Sequence, residues 1–221
     1  MPSAPVVLYF DFISPFAYLA WKRISAVAEA RSRPLRPQPV LFAGLLGHYG
    51  QLGPAEIPPK RIYIFKQVLR RAHERALPLQ PPPAHPFNPL LGLRLAGDPS
   101  LTPTDQLRLI DALFNATWGC GPGIEDPATV VSILNDAGFD GAARVAAAGS
   151  AEAKSRLRQA TQAAIDLGVF GVPTMVADGE LFWGDDSIDD LDRFLRGDDP
   201  VTEEALAPWR DLPQTAARRK L

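Results

Sequence analysis

Ser14-Pro15-Phe16-Ala17 follows the apolar run Val6-Val7-Leu8-Tyr9-Phe10 and opens a helix-forming stretch. The β-branched and aromatic run reads as a strand, and the Ser-Pro step reads as a helix start. Ser14 takes the N-cap position and Pro15 the first helical position, where a missing N–H does no harm. Such a turn aims a hydroxyl and the positive end of a helix at one point in space. The chemistry that suits this point is stabilisation of an anion. Serine has no redox exchange of its own, and positions 14 to 17 carry no sulfur. The site is therefore suited to holding and activating a sulfur that the chain does not own. A free thiol of pKa ~8.5 is only a few per cent ionised at neutral pH. A helix N-terminus and a hydroxyl donor that lowered this by about two units, ~2.7 kcal/mol, would leave most of it as thiolate.

Gly171-Val172-Pro173-Thr174 is the second candidate element. A proline at the start of a strand facing the Ser14 turn is expected in the cis form, leaving the backbone of Val172 as an open edge. An extended thiol-bearing peptide can pair with such an edge by strand addition. A small peptide of this kind also brings carboxylates and an amine, so fixed charges are needed near it. Lys60, at a helix start where a cation gains nothing from the dipole, fits either a ligand or a solvated role. Asn88 reads as a helix cap or a ligand donor. Asp185 and Asp186 precede the final helix and can satisfy its orphan N–H groups or receive an ammonium group. Asp11 is expected as a buried hydrogen-bonding residue at the strand end. Phe16, Tyr18 and Trp118 are candidate pocket residues.

Other signals point elsewhere or nowhere. Gly119-Cys120-Gly121-Pro122-Gly123 follows a helix and not a strand, which argues against a dinucleotide fingerprint. Cys120 reads as an incidental small apolar residue. The histidines at 48, 73 and 85 have no spacing that marks one as a base for Ser14, and no metal site is expected. No Gly-x-Ser-x-Gly elbow surrounds Ser14, which disfavours serine as its own nucleophile.

The elements that position these residues fit an ordinary globular composition. Of 221 residues, 46% are hydrophobic and 22% charged, with a formal charge of −2, which argues against a nucleic-acid binder. One cysteine excludes an intrachain disulfide; with no spanning segment or secretory signal seen, a cytoplasmic protein is expected. The 23 prolines cluster in what read as stiffened loops, those at 34, 37 and 39 bracketing a second strand.

The pattern predicts a strand over 6–12, a helix over 15–31 and an extended segment near 36–43. A Gly-rich loop follows. Helices are predicted from Pro59 to Ala76, up to Ala96, from 102 to near Gly119, and over 127–137, 140–148 and 151–167. Strands return at 173–177 and 180–183 around Asp178-Gly179, a tight-hairpin signal, before a helix near 187–195. This order predicts an α/β chain: a thioredoxin-like domain (1–45 and 168–197) with an inserted all-helical domain (46–167). Residues 198–221 form a charged tail whose basic end reads as a frayed terminus.

Several of these segments together resemble the 2-hydroxychromene-2-carboxylate isomerases, relatives of kappa-class glutathione transferases in the thioredoxin-like superfamily. They are Phe10-Asp11-Phe12-Ile13-Ser14-Pro15-Phe16-Ala17-Tyr18-Leu19-Ala20, Pro59-Lys60-Arg61 with Tyr63, and His85-Pro86-Phe87-Asn88-Pro89. Further on stand Phe114-Asn115-Ala116-Thr117-Trp118, Val169-Phe170-Gly171-Val172-Pro173-Thr174 and Phe182-Trp183-Gly184-Asp185-Asp186. The resemblance implies glutathione as a regenerated cofactor, its thiolate at Ser14. It also implies Lys60 and Asn88 lining the pocket, Val172 beside Pro173 pairing with the cysteinyl backbone, and Asp185 and Asp186 facing the γ-glutamyl end. The implied reaction opens a bicyclic hemiketal acid to a trans-benzylidenepyruvate in bacterial breakdown of naphthalene-like aromatics. The expected partners are a small aromatic substrate and a second copy of the chain, with no nucleic acid or membrane. Ser187 departs from the family pattern, in which an arginine often follows. A conjugating kappa-like transferase and a non-redox thioredoxin-like binding module are the alternative readings.

Overall fold

Strand β1 (Val6–Phe10) is buried along its whole length because it lies inside the sheet and is covered on both faces. The computed structural model describes residues 4–213, 215 and 216; the basic end Arg218-Arg219-Lys220-Leu221 lies outside the described residues. The four strands run in the order β2-β1-β3-β4, where β2 is Leu35–Pro39, β3 is Thr174–Ala177 and β4 is Glu180–Trp183. β1 pairs parallel with β2 and antiparallel with β3, which continues antiparallel into β4. Alternation along β1 divides its side chains between two cores. Val6, Leu8 and Phe10 join one, and Val7 and Tyr9 the other.

On the first face lie α1 (Pro15–Ala30) and α9 (Ile188–Leu195). On the second lie α2 (Phe42–Tyr49) and α8 (Ala151–Asp166). Between α2 and α8 the chain forms α3 (Pro58–Glu74), α4 (Leu90–Ala96), α5 (Pro103–Phe114), α6 (Pro127–Asp136) and α7 (Gly141–Ala148). Leu93, Leu109, Val130 and Leu134 of these helices join the same core as β1 and α1. An aromatic cluster marks the junction. Phe114 of α5 stands 4.7 Å from Phe12 and 5.5 Å from Phe10, ring centre to ring centre.

Three segments differ from the sequence reading, each for a local reason. Residues 42–49, read as part of an extended segment and a Gly-rich loop, form α2. A Cβ on Gly44 would come within 3.1 Å of Thr161 Cγ2, so glycine there serves close helix packing. Pro37 and Pro39 lie inside β2 and do not bracket it; β2 is an edge strand, where a missing N–H is tolerated. The helix expected to reach Gly119 ends at Phe114 and widens into a π-type turn over Asn115–Gly119. The tail also holds a helix, α10 (Glu203–Arg210), with no buried residue. The hairpin turn at Asp178-Gly179 has both residues at positive φ, 50° and 89°, the backbone that such two-residue turns need. Among the described residues no helix is long and apolar enough to cross a membrane.

Phe114 has no exposed surface. Phe114→Ala is expected to cost about 3–5 kcal/mol through the cavity it leaves. In a thermal melt of a chain this size that is a fall on the order of 10 °C.

Candidate active site at the end of the sheet

Tyr9 pairs with Thr174, so the residues after β1 and before β3 emerge beyond the same end of the sheet. The first segment carries Ser14 and the second Val172 and Pro173. Ser14 has extended backbone, and its Oγ accepts the Ala17 amide at 3.2 Å. Its hydroxyl hydrogen and the Phe16 amide have no partner among the described residues. Two donors therefore remain at the positive end of α1. The Val172–Pro173 peptide is cis, and neither backbone group of Val172 is paired among the described residues.

Pro173 links this end to the acidic pair, since its carbonyl accepts the Gly184 amide at 2.9 Å. The Asp185 side chain has no exposed surface and gives its two oxygens to Arg75 at 2.7 Å and Arg71 at 3.1 Å. Asp186 is largely open to solvent and meets Arg71 at 3.2 Å. The Arg71 guanidinium also lies 5.2 Å from the centre of the Phe16 ring. One arginine thus joins the first turn of α1 to both acids. Sequence reasoning missed Arg71 and Arg75; the only local signal was two arginines four residues apart on the predicted helix.

On the other flank, His85 Nε2 meets the Ile13 carbonyl at 3.1 Å, next to Ser14. That contact requires the proton on Nε2, which leaves the buried Nδ1 as an acceptor without a partner among the described residues. Burial pushes the His85 pKa down, so the ring is neutral near pH 7. Arg61 Nη2 donates to the His85 carbonyl at 2.7 Å, which brings the start of α3 to this flank. Lys60 is exposed in the first turn of α3 and forms no ion pair among the described residues. Asn88 is exposed; its Oδ1 accepts the Leu90 amide at 3.0 Å.

The three aromatic candidates separate. Tyr18 is fully buried, its hydroxyl donates to the Pro78 carbonyl at 2.6 Å, and burial pushes its pKa up to about 12. Trp118 is buried and donates its indole N–H to the Phe12 carbonyl at 2.8 Å. Both are core residues supporting the turn, and Phe16 alone of the three is half-exposed. Cys120, read as an incidental apolar residue, is exposed.

Residues 5–196 match the DSBA-like thioredoxin domain family. A 2-hydroxychromene-2-carboxylate isomerase of Pseudomonas putida is 31% identical over 188 residues, 83% of this chain and 90% of that protein. The chain belongs to the DSBA-like thioredoxin domains, among the 2-hydroxychromene-2-carboxylate isomerases. A solved 2-hydroxychromene-2-carboxylate isomerase structure superposes with a TM-score of 0.79 at 28% identity, covering 87% of this chain and 94% of that one. A glutathione S-transferase kappa 2 of Caenorhabditis elegans is 29% identical over 211 residues, 88% of this chain and 93% of that protein. The thioredoxin-like α/β fold expected from the order of elements is thereby shown, as is kinship to both enzyme groups.

Asp11, fully buried, accepts the amides of Ile13 at 3.0 Å and Phe42 at 2.9 Å. Burial raises its pKa to about 7, the two hydrogen bonds opposing only part of the rise. The folded state thus keeps a proton that the unfolded chain releases near pH ~4, so stability falls as pH rises from about 4 to about 7. Denaturant unfolding across that window is expected to show this slope in the parent and not in Asp11→Asn. Arg75→Ala leaves Asp185 with Arg71 as its one remaining side-chain partner among the described residues. A loss of about 3 kcal/mol or more is expected in the same unfolding measurement.

Proposed function

We propose that this chain is a glutathione-dependent cis–trans isomerase acting on an aromatic acid of the 2-hydroxychromene-2-carboxylate type. The observation that carries the reading is the pair of donors without a partner among the described residues, the Ser14 hydroxyl and the Phe16 amide, at the same end of the sheet as the Val172 backbone, which is also unpaired among them. The names of the relatives support both halves: isomerases of this substrate and a kappa glutathione transferase. The donor set fits the tripeptide, with anion donors for its sulfur, an open strand edge for its backbone and charged groups for its ends. Glutathione, when bound, supplies a thiolate that can add to an activated double bond and leave again after rotation.

The chain's own residues have distinct parts in this reading. Ser14 donates its hydroxyl hydrogen to the sulfur, and the α1 dipole holds that sulfur as an anion. Val172, beside Pro173, pairs with the cysteinyl backbone. Asp186, whose carboxylate is open to solvent, receives the ligand's ammonium group, while Asp185 holds Arg71 and Arg75 in place. Lys60 and Asn88 line the glutathione or substrate pocket; Lys60 offers its ammonium and Asn88 its free amide hydrogens. Phe16 offers a half-exposed aromatic face to the substrate, with the helices between 46 and 167 forming its far wall. His85 keeps the carbonyl before Ser14 oriented and is a positioning residue.

Calorimetry with glutathione and an ultraviolet titration of its bound thiol test the reading. The parent is expected to bind glutathione and lower its thiol pKa; Ser14→Ala is expected to raise that pKa by about one unit, ~1.4 kcal/mol. Turnover of the chromene acid with glutathione regenerated is expected to exceed conjugation of a chloronitrobenzene. No glutathione binding, or a bound-thiol pKa indifferent to Ser14→Ala, overturns the proposal. Net consumption of glutathione with release of an adduct assigns the chain to conjugation instead.

A further inference from the structure

Helix α8 carries Lys154, Leu157, Arg158, Thr161 and Ile165 at spacings that share one face. That face borders a cleft of about 530 Å³, lined also by Leu41, Gly44 and His48 from α2 and its approach and by Leu90 and Arg94 from α4. The floor is apolar, made of leucines and Ile165, while the cations Arg94, Lys154 and Arg158 come from two helices, α4 and α8. No carboxylate lines the cavity.

Six arginines elsewhere in the molecule are paired with carboxylates, and the cations of this cavity are not. Arg23, Arg31, Arg33, Arg71, Arg75 and Arg144 all have carboxylate partners within 3.1 Å. Arg94, Lys154 and Arg158 have none among the described residues, and the buried Arg94 Nε lacks any hydrogen-bond partner there. Lys154 and Arg158 also stand one turn apart, where like charges repel. The acids of α8, Glu152 and Asp166, do not line the cavity, and Asp166 already accepts Gln162 Nε2 at 2.8 Å. An anion that reached between α4 and α8 would relieve that repulsion and satisfy the orphan donor. Guanidinium planes also stack on flat π-systems, which favours an aromatic body over the apolar floor. The volume falls within the range of small-molecule sites.

We infer that this cavity binds an aromatic carboxylate of about two rings, at a place separate from the Ser14 turn. The carboxylate sits between Arg94 and the Lys154–Arg158 pair, and the rings lie on Leu41, Leu90 and Leu157. The cavity is lined from α2, α4 and α8, and no residue of the Ser14–Ala17 turn lines it.

Calorimetry with 2-naphthoate, and with 2-naphthol as its uncharged counterpart, tests the inference. The parent is expected to bind naphthoate at a site that survives Ser14→Ala, and naphthol there at least about tenfold more weakly. The exposed pair changed together, Lys154→Ala with Arg158→Ala, is expected to weaken naphthoate about tenfold or more without altering the melting temperature. Lys66→Ala on the exposed face of α3 controls for loss of positive charge, and Ser14→Ala controls for the other site; both are expected to bind as the parent does. No naphthoate binding at millimolar concentration, equal binding of naphthol, or indifference to the α8 pair overturns the inference. So does loss of naphthoate binding in Ser14→Ala.

Discussion

Two amides with no backbone partner among the described residues, those of Ile13 and Phe42, converge on the carboxyl of Asp11 inside the protein. Each would be costly to bury alone. One carboxyl satisfies both, and in doing so it locks the turn after β1 to the start of α2. The Asp11 carbonyl meanwhile accepts the Ser14 amide at 3.1 Å. Ser14 therefore enters α1 with its backbone already set. The direction of the helix, and hence the place where its positive end points, follows from that joint.

A second joint works by charge. Asp185 is completely enclosed, a state that an ionised carboxylate tolerates only when it is well paired. Arg71 and Arg75 supply the pairing from one face of α3. The same Arg71 reaches Asp186 and lies against Phe16, so α3 acts as a brace across the end of the sheet. Ser187, two residues after Asp185, donates its hydroxyl to the Trp183 carbonyl. The cationic charge beside Asp185 comes from far along the chain instead of from the next residue but one.

Legibility followed the range of the force concerned. Ser14 as a cap, Pro15 in the first turn, and the Asp178-Gly179 hairpin all depend on residues a few positions apart, and all stand as read. The α2 helix was hidden because Gly44 looks like a loop residue until Thr161 is seen against it. Tyr18 and Trp118 have the composition of pocket residues; only the location of Pro78 and Phe12 shows that their polar ends serve the core. His85 offered no spacing to read, since its partner is the carbonyl of Ile13, 72 residues away.

The sequence by itself determined the strand, the capped turn without sulfur, the proline opposite it and the order of elements, because neighbouring residues set φ, ψ and hydrogen bonding there. Tertiary structure alone decided which charges meet. Arg71 and Asp185 are separated by 114 positions, and their ion pair exists only because α3 is packed across the end of the sheet. No local pattern encodes a distance of that kind; it is set by how the two cores close around β1.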